Sequence, residues 1–182
     1  MRKNLKIISN LGKKAIYIGK ILIYIILLII TGCVYSFKGG SVPSHLKSIA
    51  IPIFEDQSGF GDPTLKDYLT QQLVEAFRND NTLELADRNT ADAVLEGKIT
   101  SVREEASIIE ASGNVREKEI KISISVQVTF NDMKLRKKVW EKNFVKWGVY
   151  PAGGGLNQRE EGIKEAVRKL TDDIINATVA EW

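Results

Sequence analysis

The feature that most constrains the fold of this sequence is a strict alternation of apolar and polar residues from Ile120 to Asn131. Successive side chains of a β-strand point to opposite faces, so the pattern predicts one long strand with a buried face and a solvated face. A strand of this kind is typical of an antiparallel sheet that is covered on one side only. The apolar positions are Ile120, Ile122, Ile124, Val126, Val128 and Phe130.

One amphipathic helix is predicted to begin at Asp62-Pro63, with Asp62 as the N-cap acceptor and Pro63 at the first helical position. It is predicted to stop at Asn79–Asn81, where residues that favour turns follow one another. Its apolar residues recur every four positions and form one stripe, which we interpret as a face packed on a sheet. The stripe consists of Leu65, Leu69, Leu73 and Phe77.

A second helix is predicted after the glycine-rich loop Pro151–Leu156, which lacks the spacing of a phosphate-binding loop. Asn157 and Glu160 have the spacing of a capping box, which predicts the helix start. Its apolar stripe consists of Ile163, Ala166, Val167, Leu170, Ile174 and Ala177.

Further strands are predicted at 48–54, 91–102 and 139–150. Pro52 has no N–H to donate, so the first of these is expected to lie at a sheet edge or to end early. Residues 83–86 are a candidate for a brief additional strand. The polar stretch 104–114 is predicted to be a connection with Gly113 in its turn. The strand 139–150 carries aromatic residues on both faces, which indicates contact with a second surface.

These elements follow the order β-α-β-β-β-α. Two helices with one apolar stripe each need a single apolar sheet face, and the alternating strand supplies one. We therefore predict an α+β fold, a two-layer sandwich in which two helices pack on one face of a mainly antiparallel four-stranded sheet. The predicted folded domain is 48–182.

The first 32 residues differ in composition from the rest of the chain. They hold six of the 26 basic residues and none of the 23 acidic ones, so residues 33–182 carry a formal charge of −3. The overall excess of positive charge therefore belongs to this segment and indicates no nucleic-acid partner. The apolar run Ile21–Ile30 is about ten residues long, whereas a membrane-spanning helix needs about 20. An anchor that begins near Ala15 and includes Lys20 is the alternative interpretation.

The sequence Ile30-Thr31-Gly32-Cys33 ends this run with the only cysteine of the chain. It resembles the lipobox of bacterial lipoproteins, which implies a cleaved signal peptide over 1–32 and a lipidated Cys33. The expected modification is a diacylglycerol and an N-acyl chain such as palmitate. Val34 in place of Asp implies sorting to the outer membrane after export through the inner membrane. Residues 33–47 are predicted to be a flexible tether, since they contain Gly39, Gly40 and Pro43.

Several segments together resemble the LptE family of lipopolysaccharide-assembly lipoproteins, in their order and spacing. They are the lipobox, KSIAIPIFEDQSG, ADAVLEGKITSV, KISISVQVTFNDMKLRKKVWEKNF, GVYP and a final helix that ends in VAEW. The resemblance implies a non-enzymatic outer-membrane lipoprotein without a cofactor. Its expected partners are the LptD β-barrel, which it plugs and supports, and lipopolysaccharide, which it helps to deliver to the outer leaflet.

The candidate lipopolysaccharide contacts come from chemistry alone. A ligand with phosphates and acyl chains requires basic residues beside apolar ones. The densest such group is Lys134, Arg136, Lys137 and Lys138, with Met133 and Leu135 between them. The alternative interpretation is a strand connection that is basic only for solubility.

Two other functions are consistent with parts of the sequence. The segment from Ile49 to Phe77 is similar to the opening of CsgG-like secretion lipoproteins and of the N-terminal domain of TolB. A hydrolase is the remote alternative, because paired acids occur at 104–105, 160–161 and 172–173. Adjacent residues do not share a face, so these pairs form no acid–base couple by themselves. The single His45 lies in the predicted tether, where we expect a solvated side chain.

Overall fold

Six strands and two helices form the part of the chain that the computed structural model describes, residues 42–111 and 115–180. The predictions for the signal peptide, Cys33 and Gly113 lie outside these residues. The elements in chain order are β1 (Ser48–Ala50), β2 (Glu55–Asp56), α1 (Leu65–Asp80), β3 (Glu84–Leu85), β4 (Ala93–Ala111), β5 (Val115–Asp132), β6 (Lys137–Pro151) and α2 (Leu156–Val179).

The strands form one mixed sheet in the order β3-β1-β4-β5-β6, with β2 also paired to β4. The pairs β4–β5 and β5–β6 are antiparallel, whereas β1–β3, β1–β4 and β2–β4 are parallel. The α+β class with two helices is confirmed, and the prediction of a mainly antiparallel four-stranded sheet is wrong. It failed because α1 returns the chain between β1 and β3, and a crossover of this kind makes neighbouring strands parallel. The brief strand predicted near 83–86 is present as β3.

Pro52 ends β1 early, as predicted, but β1 does not lie at an edge, because β3 and β4 flank it. The chain resumes pairing with β4 in β2, where Glu55 lies opposite Lys98. Between the two strands Ile53 is 65% exposed while Phe54 is buried. A Cβ atom added to Gly97 would lie 2.1 Å from the Phe54 ring, so the glycine makes room for that ring.

Both long strands exceed their predicted lengths. β4 continues through the stretch predicted as a polar connection, and its pairing with β5 extends to Ala111 opposite Val115. β6 ends opposite Glu119, so the β4–β5 ribbon continues beyond it. The prediction of a connection at 104–114 relied on its polar side chains. It failed there because a ladder of backbone hydrogen bonds does not require an apolar face.

The core lies between the sheet and the two helices. The predicted alternation is confirmed, since the apolar side chains of β5 from Ile122 to Phe130 have no exposed area, and the predicted stripes of both helices are buried against them. Burial of each such side chain contributes about 1.5–3 kcal/mol. This face therefore supplies the main stabilisation of the fold.

The predicted helix caps are wrong in detail. α1 begins at Leu65 with Thr64 as its N-cap, and Asp62 instead accepts hydrogen bonds from the amide and hydroxyl of Thr64 at 3.0 and 2.7 Å. α2 begins at Leu156 behind an extended Gly155, so Asn157 lies inside the helix and forms no capping box. The extended Gly155 supplies the N-cap conformation two residues before the N-cap that the side-chain pattern suggests, Asn157. The predicted end of α1 is confirmed by a left-handed Asn81.

Candidate functional site

The connection between β5 and β6 is a four-residue turn, Met133–Arg136, which carries the predicted basic cluster. We name residues 133–138 the hairpin tip. Arg136 has a φ of 52°, a left-handed conformation that turns the chain back into β6. Met133 and Leu135 are 46% and 57% exposed, so the hairpin tip presents apolar surface beside its cations.

The structure separates the four predicted cations into two groups. Lys134 forms an ion pair with Asp92 at 2.9 Å, and Lys138 forms one with Glu141. Among the described residues no ion pair involves Arg136 or Lys137. The hydrogen bond from Lys134 holds the pKa of Asp92 below its ordinary value, and Lys138 has the same effect on the pKa of Glu141.

Asp132, at the end of β5, fixes the base of the hairpin tip. Its side chain is 2% exposed and accepts hydrogen bonds from His45 Nε2 at 2.6 Å and from the Leu135 amide at 2.7 Å. Burial disfavours the charged carboxylate, but these bonds outweigh burial and leave the pKa of Asp132 below its ordinary value. His45, expected to be solvated, is thus part of the structure.

The chain enters the domain beside the hairpin tip. Leu46 is buried, Val42 packs against the core, and the backbone oxygen of His45 accepts a hydrogen bond from Lys134 at 2.6 Å. The Lys47 amide donates to Asp92 at 2.8 Å. Sequence reasoning missed this network because its partners lie far apart in the chain; the only signal was an isolated acid near the end of a strand.

The outer face of the sheet, away from the helices, carries a second cluster. Trp147 lies on the edge strand β6, is 44% exposed and has the ammonium group of Lys121 5.0 Å from its ring centre. Lys169 extends from α2 to this edge, places its ammonium group 4.4 Å from the ring centre and donates a hydrogen bond to the Trp147 backbone oxygen. Val145 beside it is 57% exposed. The prediction of aromatic residues on both faces is confirmed, since Trp140 packs near Phe130 on the inner face, with ring centres 5.7 Å apart.

At the opposite end from the hairpin tip, a cleft of about 350 Å³ lies between the first turns of α1 and α2. Arg159 lies at its edge, forms an ion pair with Glu104 at 2.6 Å and stacks over Phe60 at 4.8 Å. Burial, together with the nearby Glu104, raises the pKa of Tyr150. The ion pair joins α2 to β4. Neither the ion pair nor the stacking contact pairs a nucleophile with a general base.

Each acid pair of the hydrolase alternative has at least one member in an ion pair. Glu104 binds Arg159, and Asp173 binds Lys146 at 2.6 Å. Glu160 and Glu161 share Lys164, each at 3.0 Å. In residues 42–111 and 115–180, no group of three or more His, Cys, Asp or Glu side chains is arranged to hold a metal ion. Neither of the helices described there combines the length and apolarity of a membrane span.

The fold and these surfaces define a class of protein: a small α+β domain whose distinctive chemistry lies on a hairpin tip and an uncovered sheet face. The family model of the lipopolysaccharide-assembly proteins, LptE, matches residues 46–178. The chain therefore belongs to the LptE family, as its resemblance predicted. This is a family of non-enzymatic envelope lipoproteins that act in lipopolysaccharide assembly and have no cofactor.

Similar folds occur among solved structures. A protein from Xanthomonas campestris is 12% identical, with a TM-score of 0.55 over 77% of this chain and 87% of that one. A homolog of the neuraminyllactose-binding hemagglutinin from Helicobacter pylori is 13% identical, with a TM-score of 0.53 over 79% and 91% of the two chains. At these identities the similarity concerns the fold alone. A comparison with curated protein sequences gave no match.

Proposed function

We propose that this chain is a non-enzymatic outer-membrane lipoprotein that plugs and supports an LptD-type β-barrel and helps to deliver lipopolysaccharide to the outer leaflet. The observation that carries the proposal is the match of the LptE family model to residues 46–178, which spans nearly the whole described domain.

The proposed anchor is the lipid on Cys33, after removal of residues 1–32. The lipobox residues Ile30, Thr31 and Gly32 support it, as does the absence of acidic residues before them. Several acyl chains on one cysteine give a lasting attachment, since each buried methylene contributes about 0.8 kcal/mol. Cys33→Ala is expected to abolish lipid labelling and to leave an unprocessed precursor, which mass spectrometry of the purified protein detects.

The proposed plug role is supported by the outer face of the sheet. It carries polar residues along β5 from Lys121 to Asn131 and holds a groove of about 310 Å³, lined in part by charged side chains such as Arg88, Glu96 and Glu141. The interior of a large β-barrel is polar, so a domain with one polar, solvent-exposed sheet face suits that environment.

The proposed lipopolysaccharide contacts remain Lys134, Arg136, Lys137 and Lys138. Arg136 and Lys137 are the stronger candidates, because Lys134 and Lys138 already have carboxylate partners. Charge reversal at Lys134, Arg136 and Lys137 is expected to weaken lipopolysaccharide capture by the purified protein. Unchanged capture would remove the hairpin tip from the proposed contacts.

The decisive experiment is affinity purification of the tagged protein from membranes in mild detergent. We expect one outer-membrane barrel to co-purify in a one-to-one complex. A homo-oligomeric ring without a barrel would instead favour the CsgG-like secretion function, and purification with neither would contradict the plug role.

A further inference from the structure

The hairpin tip and the point where the chain enters the domain are locked together. Asp132 accepts a hydrogen bond from His45, and Lys134 donates one to the backbone oxygen of the same histidine, both at 2.6 Å. Leu46 is buried at 4% exposure, which holds this segment against the core. The hairpin tip therefore keeps a fixed position relative to the entering chain.

The chain between the lipidation site and this entry point is short. Nine peptide units join Cys33 to Val42. At 3.3–3.6 Å per residue, such a segment spans at most about 30 Å when fully extended. With a lipid on Cys33, the hairpin tip cannot lie far from the bilayer that holds the anchor.

The exposed chemistry of the hairpin tip suits a lipid surface. Met133 and Leu135 present apolar side chains to solvent, and Arg136 and Lys137 have no ion-pair partner among the described residues. Apolar side chains at the depth of the headgroups, flanked by cations at the level of the phosphates, are the combination that holds peripheral elements on anionic membranes.

We propose that the hairpin tip docks on the phospholipid surface of the membrane that carries the Cys33 anchor. Met133 and Leu135 enter the headgroup region, and Arg136 and Lys137 bind lipid phosphates. The proposal rests on the anchor named under the proposed function, and it requires neither the barrel nor lipopolysaccharide. The short tether raises the local concentration of lipid, so weak contacts suffice. Anchor and hairpin tip together then orient the domain on the membrane.

The test uses the mature lipidated protein in vesicles of phosphatidylcholine and phosphatidylglycerol that contain no lipopolysaccharide. Leu135→Cys places a fluorophore at the hairpin tip, because lipid occupies the thiol of Cys33. Ala152→Cys is the matched control position, since it follows the far end of the 15-residue β6, roughly 50 Å away along the strand. Mass spectrometry of the starting material verifies the lipid on Cys33, so a missing anchor is recognised separately.

We expect nitroxide-labelled lipid to quench the fluorophore at residue 135 and not the one at residue 152. Each cation near an anionic surface contributes about fivefold to partitioning. The double variant Arg136→Glu/Lys137→Glu should therefore lower the docked fraction at least about tenfold. Vesicles of phosphatidylcholine alone should give a similar loss. The matched control Arg103→Glu/Lys118→Glu makes the same change of charge toward the far end of the β4–β5 ribbon. Both side chains are exposed and, like Arg136 and Lys137, form no ion pair among the described residues, so this control should leave docking intact.

Equal exposure of both fluorophores to water would overturn the proposal. So would an equal loss of docking in both charge-reversal variants, because this would indicate an effect of net charge alone. Docking that occurs only after lipopolysaccharide is added to the vesicles would also overturn it. That last result would leave the lipopolysaccharide contact of the proposed function standing, so the two proposals can fail separately.

Discussion

The two faces of the sheet consist of the same strands and have opposite properties. On the inner face, the side chains of β5 from Ile122 to Phe130 have no exposed area and pack under both helices. On the outer face, their immediate neighbours in sequence are polar, and the largest apolar group, Trp147, is 44% exposed. Stability therefore resides on one face, and the other is free to carry recognition. Substitutions one residue apart on the same strand should therefore differ sharply in how much they lower the free energy of unfolding.

The largest contrast is expected between Phe130→Ala and Thr129→Ala. Phe130 is fully buried, so its truncation should cost about 4 kcal/mol in the free energy of unfolding. Thr129 points to the outer face, where its loss should cost less than about 1 kcal/mol. Urea unfolding of the purified variants measures both values. Similar losses for the two variants would contradict the assignment of stability to the inner face.

One added methyl group at the contact of α2 with β6 should lower the free energy of unfolding nearly as much as Phe130→Ala does. A Cβ atom at Gly148 would lie 2.0 Å from the backbone oxygen of Gly162, and a backbone atom cannot rotate away. Gly148→Ala should therefore cost about 3 kcal/mol in the free energy of unfolding, measured by urea unfolding. Gly155→Ala is the matched control, because its Cβ would meet only the Gln158 side chain, at 3.4 Å. Equal stability of the two variants would show that α2 can move away from β6.

The buried carboxylate of Asp132, at the base of the hairpin tip, should have an intermediate effect. Asp132→Asn removes a charge that holds His45 and the Leu135 amide, and should cost about 2 kcal/mol at neutral pH. Thermal unfolding measures the loss. A stability equal to that of the wild type would mean that His45 and the hairpin tip are not joined in solution.

The same carboxylate predicts a dependence on pH. The folded-state pKa of Asp132 is lowered, so its stabilisation is complete above the ordinary value of 3.8 and is lost as the pH falls through the folded-state pKa. The wild type should therefore lose stability in acid more steeply than Asp132→Asn. Parallel acid profiles of the two proteins would show that another group controls the transition.

The smallest effect is expected on the outer face. Trp147→Ala removes a ring that is 44% exposed and lies near two ammonium groups, so it should cost about 1 kcal/mol in the free energy of unfolding. Trp140→Ala is the matched control on the same strand and should cost more, because Trp140 packs near Phe130 and Phe144. Urea unfolding again supplies the measurement. A larger loss at Trp147 would indicate that the outer face is part of the core.

The elements that the sequence predicted well are those whose signal repeats. The alternation in β5 and the stripes of α1 and α2 sample the same buried face many times, so one exception would not hide them. β2 and β3 have only two residues each and show no period. Their parallel pairing with β1 or β4 depends on the path of α1, which no local pattern encodes. The start of α2 followed the extended Gly155 rather than the capping side chains.

The candidate site was predicted in composition and not in its contacts. The cations at 134, 136, 137 and 138 do share the hairpin tip, because a short turn keeps them together. Which of them have partners depends on Asp92, Glu141 and the entering chain. The bond between His45 and Asp132 joins residues 87 positions apart, a separation at which sequence patterns carry no information.

The position of β1 inside the sheet, between β3 and β4, has a consequence for the order of folding. β5 and β6 are joined by a four-residue turn and can pair as soon as both exist, since local contacts close quickly. β1 must wait for β3 and β4, which follow only after α1. We therefore expect the hairpin to form first and β1 to insert last between its two neighbours. On the proposed export route, the segment nearest the anchor emerges first and is fixed last, which leaves time for lipid attachment before the sheet closes.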